Sequence, residues 1–220
     1  MEHSRVADSV ARRAAVHAAL GEAIRLAIVD DLAVSDRSPK ELAVRFSVPT
    51  NLLAHHLDVL EDVGLIERFV SAGDRRRRYV RLTRAPLARL GVAAALPAGQ
   101  VLFVCSHNSA RSQLAAALWT SRTGDAAASA GTHPADRVHP GAIAAATRAG
   151  LNLSGAKPRM LDAGERPGLV VTVCDQAHEE LDPEPDWWHW SLADPVADGR
   201  AEAFDAVITE LDERIRAVAS

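Results

Sequence analysis

The chain has 220 residues, with 48% apolar and 25% charged side chains, the mix of an ordinary globular protein rather than a disordered one. Its apolar stretches are short and interrupted, so no bilayer-spanning segment is expected, and the N-terminal MEHSRVADSVARR has no apolar core to act as a secretory signal. Two cysteines, Cys105 and Cys174, are too few for a disulfide scaffold and fit a cytoplasmic chain whose thiols are reduced at rest. The net charge of −4 is split: residues 1–98 hold 15 basic and 12 acidic side chains, residues 99–220 hold 10 and 17. A basic half suits a polyanion partner and an acidic half does not.

Taken in chain order, residues 6–20 and 22–33 carry apolar positions at helical spacing, with Leu26, Ile28, Val29 and Leu32 in the second segment. Ser38-Pro39-Lys40-Glu41 has a serine N-cap, a proline at the first helical position and a glutamate where a capping box needs one, so a short helix to about Phe46 follows. After a turn at Ser47-Val48-Pro49-Thr50, residues 50–63 form another helix, with Leu53, Leu57 and Leu60 as its stripe and Gly64 as its C-cap. Two short helices joined by a tight turn make a helix-turn-helix. Residues 65–70 and 77–82 read as strands around the turn-rich tip Ser71–Arg76.

Four consecutive arginines, Arg75, Arg76, Arg77 and Arg78, lie at that tip and its exit. A basic hairpin beside a helix-turn-helix is suited to clamping DNA phosphates, while Thr50, Asn51, Ala54 and His55, early in the second helix, are the candidate base contacts. With Ala19–Leu26, Leu52–Leu60 and Gly64-Leu65-Ile66 as carriers, residues 14–95 resemble the winged-helix ArsR family of metalloregulators. The resemblance implies a homodimer on operator DNA, with helices at about 6–20 and 85–96 at the dimer interface. It stops at the sensor: residues 1–98 contain no cysteine, and residues 85–98 contain no Asp, His, Glu or Cys, so neither metal site usual in that family can be placed. His3, His17, His55 and His56 are expected at the surface, in packing or against DNA, with no metal bound.

Leu96-Pro97-Ala98-Gly99 marks a boundary, giving a domain at 1–96, a linker at 97–99 and a second domain at 100–220. Gln100–Val104 is a continuous apolar run, hence a buried parallel strand, and Cys105-Ser106-His107-Asn108-Ser109-Ala110-Arg111-Ser112 follows it directly. A helix from about Ala110 to Arg122 comes next. A loop between strand end and helix start can curl its backbone N–H groups into an anion nest, and the helix N-terminus adds positive potential. That field favours a Cys105 thiolate, Arg111 offers a planar fork to two oxygens of a tetrahedral oxyanion, Ser112 can donate to the sulfur, and Asn108 can hold the loop's carbonyls.

Further on come a strand near 127–130, a helix near 139–150, a strand at 169–173 ending at Cys174, a strand at 189–192 and a last helix at about 200–218. Strands alternating with helices predict a parallel α/β sheet, with the reactive loop at a strand's carboxyl end, where such sheets bind ligands. The chemistry needs an acid for the leaving oxygen. Among the carboxylates before proline, Asp194 is chosen, on the loop before the last helix; Asp182 and Glu184 read as solvated turn residues. Trp187, Trp188 and Trp190 are candidates for the mouth of the site or equally for core or surface.

On VLFVCSHNSARSQ (101–113), Ser129-Ala130-Gly131-Thr132, His139-Pro140, VVTVCD (170–175) and Trp190 through Asp194-Pro195, residues 99–219 resemble the low-molecular-weight protein tyrosine phosphatase family, and more closely the arsenate reductases of that fold. The resemblance implies Cys105 as nucleophile, Arg111 as oxyanion clamp, Asn108 and Ser112 as loop and thiolate supports and Asp194 as acid. It implies an external reductant: a mycothiol, glutathione or thioredoxin system. Cys174 matches the middle cysteine of three-cysteine members, but Leu181 stands where the third would be, so Cys174 is either a resolving thiol or a small buried residue. Two alternatives remain: phosphate-ester hydrolysis by the same loop, and a non-catalytic oxyanion or arsenite sensor acting on the DNA-binding half. Val196-Ala197 stand where phosphatases of this fold place aromatic residues.

Overall fold

The computed structural model describes residues 2–83, 100–162, 164, 167–181 and 183–219, with the backbone alone for 2–9. The expected helix at 85–96, the linker at 97–99 and Asp182 lie outside the described residues. The chain divides into two compact units: Met1–Val70 with Arg76–Ala93, and Ala94–Ser220, with which the segment Ser71–Arg75 is counted.

Among the described residues the first unit holds four helices, α1 (Glu2–Leu20), α2 (Ala23–Val34), α3 (Pro39–Arg45) and α4 (Thr50–Asp62), then an antiparallel pair, β1 (Ile66–Val70) and β2 (Arg78–Leu82). The capping box forms as the sequence predicts: Glu41 N donates to the Ser38 hydroxyl at 3.3 Å, and Ser38 N donates to the Glu41 carboxylate at 2.7 Å. Gly64 ends α4 at φ +73°, a left-handed conformation that glycine adopts without a steric penalty. The core is built from Ile28, Val29, Leu32, Leu42, Leu53, Leu57, Leu60, Leu65, Tyr79 and Val80, all buried. Leu26, expected on the apolar side of α2, is exposed.

The second unit is a four-stranded parallel sheet in the order β4-β3-β5-β6: β3 (Val101–Cys105), β4 (Ala127–Gly131), β5 (Leu169–Thr172) and β6 (Trp188–His189). All five residues of β3 are buried, as a central strand covered on both faces requires. Its helices are α5 (Arg111–Thr123), α6 (Pro140–Arg148), α7 (Asp175–Leu181), α8 (Pro195–Asp198) and α9 (Ala201–Ala219). α9 packs on α5 and α6 through Phe204, Val207, Leu211, Ile215 and Val218, while α7 packs on β3 and β5.

One expectation is corrected and one element is new. The strand expected at 189–192 is the two-residue β6, Trp188–His189, because Trp190 N leaves the ladder after donating to Thr172 O and its ring turns into the core. Residues 175–181, for which the sequence pattern predicts no element, form α7. Among the described residues no helix is long and apolar enough to cross a membrane, and no group of three His, Cys, Asp or Glu side chains could hold a metal ion.

Candidate active site

The register of the sheet brings the carboxyl ends of its strands together: Cys105 lies opposite Gly131, and Val104 opposite Thr172. The Cys105–Arg111 loop leaves β3 there and passes directly into α5. Ala110, at the N-cap of α5, makes no side-chain cap, so the free N–H groups of that first turn are left for a ligand.

Asn108 shapes the loop. Its backbone is left-handed at φ +48°, a region asparagine tolerates better than most residues. Its side-chain oxygen accepts from Arg159 N at 2.9 Å and from Gln113 Nε2 at 3.2 Å. A backbone N–H can only donate, so the amide is oriented, and its Nδ2 points at the Ser112 hydroxyl, 2.8 Å away. Ser112 Oγ accepts there, so its own hydrogen is free for the Cys105 sulfur, 3.0 Å from it. Asn108 N donates to the same sulfur at 3.2 Å. Asn108 therefore holds Ser112 and the 159 backbone, not the loop's carbonyls as its type suggested; the Asn108 carbonyl is taken by Gln113.

The neighbouring segment is laced to the loop backbone to backbone. Thr132 N donates to Cys105 O, His133 N to Ser106 O, Ala135 N to His107 O and His139 N to Ser109 O, at 2.8–3.2 Å. Gly131 permits this approach, since a Cβ there would stand 2.7 Å from Ser106 O and 3.0 Å from Asn108 N.

Arg111 is buried, with Nη2 3.0 Å from Asp194 Oδ2 and Nη1 donating to Leu192 O at 3.2 Å. Asp194 is half-buried and caps α8 by accepting from Val196 N at 3.0 Å. A cleft of about 590 Å³ is lined by Cys105, His107, Ser109, Ala110, Arg111, Ala135, Arg137, His139, Pro140, Asp194, Val196 and Ala197. The structure thus gathers Cys105, Arg111 and Asp194 on one cleft. No Phe, Tyr or Trp is among its lining residues, and Trp188 and Trp190 belong to the core.

Cys174 lies behind the loop, where its sulfur accepts from Ser106 N at 3.2 Å and from Ala177 N at 3.4 Å and stands 3.3 Å from Ser106 Oγ. It is buried and outside the cleft lining. Burial pushes its thiol up, against the opposite pull of the Arg111 guanidinium, so it is protonated at neutral pH. Beside it lies a buried polar chain that sequence reasoning missed. Asp175 Oδ1 meets His189 Nε2 at 3.1 Å, and the Thr172 hydroxyl lies 2.9 Å from Nδ1 of both His189 and His178, whose rings stack at 4.0 Å. Burial alone would raise the Asp175 carboxyl, but hydrogen bonds from His189 and Ser191 outweigh it and hold it at about 2.

Thr50, Asn51, Ala54 and His55 are all exposed along α4 of the first unit, as are Arg76, Arg77 and Arg78; Arg75, in the segment counted with the second unit, is exposed too, while His56 is buried. Gln113, Arg159, Arg137 and the Leu192 carbonyl were missed as site residues. Only Gln113 had a signal, its place in the loop motif; the others arrive from segments distant in sequence.

The family model described as low molecular weight phosphotyrosine protein phosphatase matches residues 100–220. An arsenate reductase of Bacillus cereus (strain AH187) is 33% identical over 123 residues, which are 53% of this chain and 90% of that protein. An arsenate reductase of Bacillus anthracis (strain A0248) has the same identity and coverage. Among solved structures, an arsenate reductase from Archaeoglobus fulgidus DSM 4304 is 30% identical, covering 53% of this chain and 95% of that one, with a TM-score of 0.46. Matched by its family model over more than half its length, and carrying a Cys105-to-Arg111 cradle at the carboxyl edge of a parallel sheet, the chain belongs to the low molecular weight phosphotyrosine protein phosphatase family.

Proposed function

We propose that the second unit is a thiol-dependent arsenate reductase and that the first is a winged helix-turn-helix that binds operator DNA as a homodimer, making the whole a regulator of arsenic resistance fused to an enzyme. The observation that carries the enzymatic reading is the supported sulfur of Cys105 on a cleft shared with Arg111 and Asp194. The similarity to arsenate reductases over 123 residues points the same way.

In this reading the oxyanion lies in the nest of Ser106, His107, Asn108, Ser109, Ala110 and Ser112 and takes the fork of Arg111. Asp194, released from its pair with Arg111, takes a proton from the incoming arsenate and passes it to the leaving oxygen. Cys105 Sγ attacks arsenic, water leaves, and a Cys–S–As(V) adduct forms. A thiolate then attacks Sγ; the S–As electron pair stays on arsenic, which leaves as arsenite, and a mixed disulfide remains. A second thiol reduces it and restores Cys105. Arsenate dianion (HAsO4²⁻), two thiols and two protons become arsenous acid, a disulfide and water. The buried, protonated state of Cys174 favours an external small thiol for both steps. A phosphatase acting on aryl esters is disfavoured, because among the described residues no Phe, Tyr or Trp lines the cleft to hold a substrate ring.

The test is the thiol balance. With a small thiol and arsenate, Cys174→Ser is expected to keep most of the wild-type turnover, at two thiols consumed per arsenite formed. Loss of turnover in Cys174→Ser would make Cys174 the resolving thiol.

A further inference from the structure

The cleft carries more positive charge than its Arg111 clamp. Arg111 is occupied, one nitrogen on Asp194 and another on a carbonyl, so an anion approaching the cleft meets Asp194 together with a cation already paired to it. Arg137 is the other guanidinium on the lining. It is exposed, and among the described residues its side chain has no hydrogen bond or ion pair. Its chain neighbour Asp136 is exposed and lies off the lining.

Arg137 is not carried on a loose loop. The segment from Thr132 to His139 is tied to the anion loop at four backbone positions, and His139 ends it by accepting from Gly141 N at 3.1 Å and stacking on Phe204 at 5.2 Å. The wall that bears Arg137 is thus fixed to the wall that bears Cys105, and its charge stands at the cleft whether or not the cradle is filled. An unpaired cation carried on a wall whose backbone is fixed focuses the field in the cleft and raises the local concentration of anions.

We propose that Arg137 is the outer recognition residue of this site: it captures the incoming tetrahedral oxyanion at the mouth, before the anion displaces Asp194 from Arg111. The inference rests on the reading of the cleft as an oxyanion site. It assigns Arg137 to capture and to discrimination in favour of dianions, and leaves the bond-making step to Cys105.

The test uses the full chain and inorganic phosphate, followed by calorimetry, so that it does not depend on turnover. Arg137→Ala is expected to weaken phosphate binding by about three- to fivefold at low ionic strength, the scale of one partly exposed charge interaction. Arg137→Lys should restore most of that loss, and the difference should fade in about 0.5 M salt, where charges are screened within a few ångströms. In arsenate turnover the change should fall on KM rather than kcat. Unchanged phosphate affinity in Arg137→Ala, or a loss that persists at high salt and is not rescued by lysine, would overturn the proposal. Phosphate binding with the expected Arg137 dependence but no arsenite formation would overturn the reductase reading and leave Arg137 its role. No phosphate binding by the wild type would overturn both.

Discussion

Asn108 and Gly131 carry the site at the scale of single residues, though neither does chemistry. Asn108 orients Ser112, Ser112 directs its hydrogen to Cys105, and Gly131 lets the second wall approach. Gly131→Ala should therefore disturb the loop, because the clashing atoms are backbone; we expect phosphate binding to fall at least tenfold in calorimetry while the helical circular dichroism is retained. Asp175 makes a second prediction. Its pKa is held at about 2, below the ordinary 3.8, so its contribution to stability is present above the unfolded value and is lost as pH falls from about 4 to 2. That shift corresponds to about 2 kcal/mol at neutral pH. Asp175→Asn should lower stability by about that much in urea titrations at pH 7 and flatten the acid limb. Cys105, Arg111 and Asp194 are legible as site residues, because the loop motif is contiguous and Asp194 precedes a proline. Arg137 and the Asp175–His189–Thr172–His178 chain are not, because each is assembled from side chains whose proximity only the sheet register creates.

Elements with strong local signals form where the sequence places them. α3 has its capping box, α4 has its leucine stripe and glycine stop, and β3 is an unbroken apolar run. Ser38→Ala should cost about 1 kcal/mol by thermal unfolding, the usual scale for losing an N-cap. α7 has no such signal, because DQAHEEL is short and polar, with no apolar period; its buried Ala177 and His178 owe their burial to β3 and β5, not to a helical stripe. β6 is shorter than its pattern suggests. WHWSL alternates like a strand, yet its second tryptophan serves the core around Phe103, 5.8 Å away between ring centroids, instead of extending the ladder. Leu26 is exposed although its spacing on α2 matches the buried positions. Periodicity names a face; only packing decides how wide it is.

Across the whole molecule, the charge split of the sequence matches two units whose proposed ligands are anions of different size: DNA for the first, a small oxyanion for the second. The exposed row Arg75–Arg78 and the exposed start of α4 are what a phosphate clamp and a reading helix require. Replacing the four arginines by alanine should reduce the salt dependence of operator binding, by about 0.9 in the log–log slope for each DNA phosphate no longer neutralised, as read by anisotropy titrations at several salt concentrations. The acidic balance of residues 99–220 is no obstacle to the proposed anion, because Arg111 and Arg137 lie together on the cleft lining. Arsenite formation from arsenate with a small-thiol reductant, measured beside hydrolysis of an aryl phosphate in the wild type and Cys105→Ser, bears on the proposed chemistry at its centre. Arsenite is expected from the wild type, none above background from Cys105→Ser, and ester hydrolysis slower than arsenate reduction. Arsenite formation that survives the loss of Cys105, or ester hydrolysis without any arsenite, would contradict that chemistry.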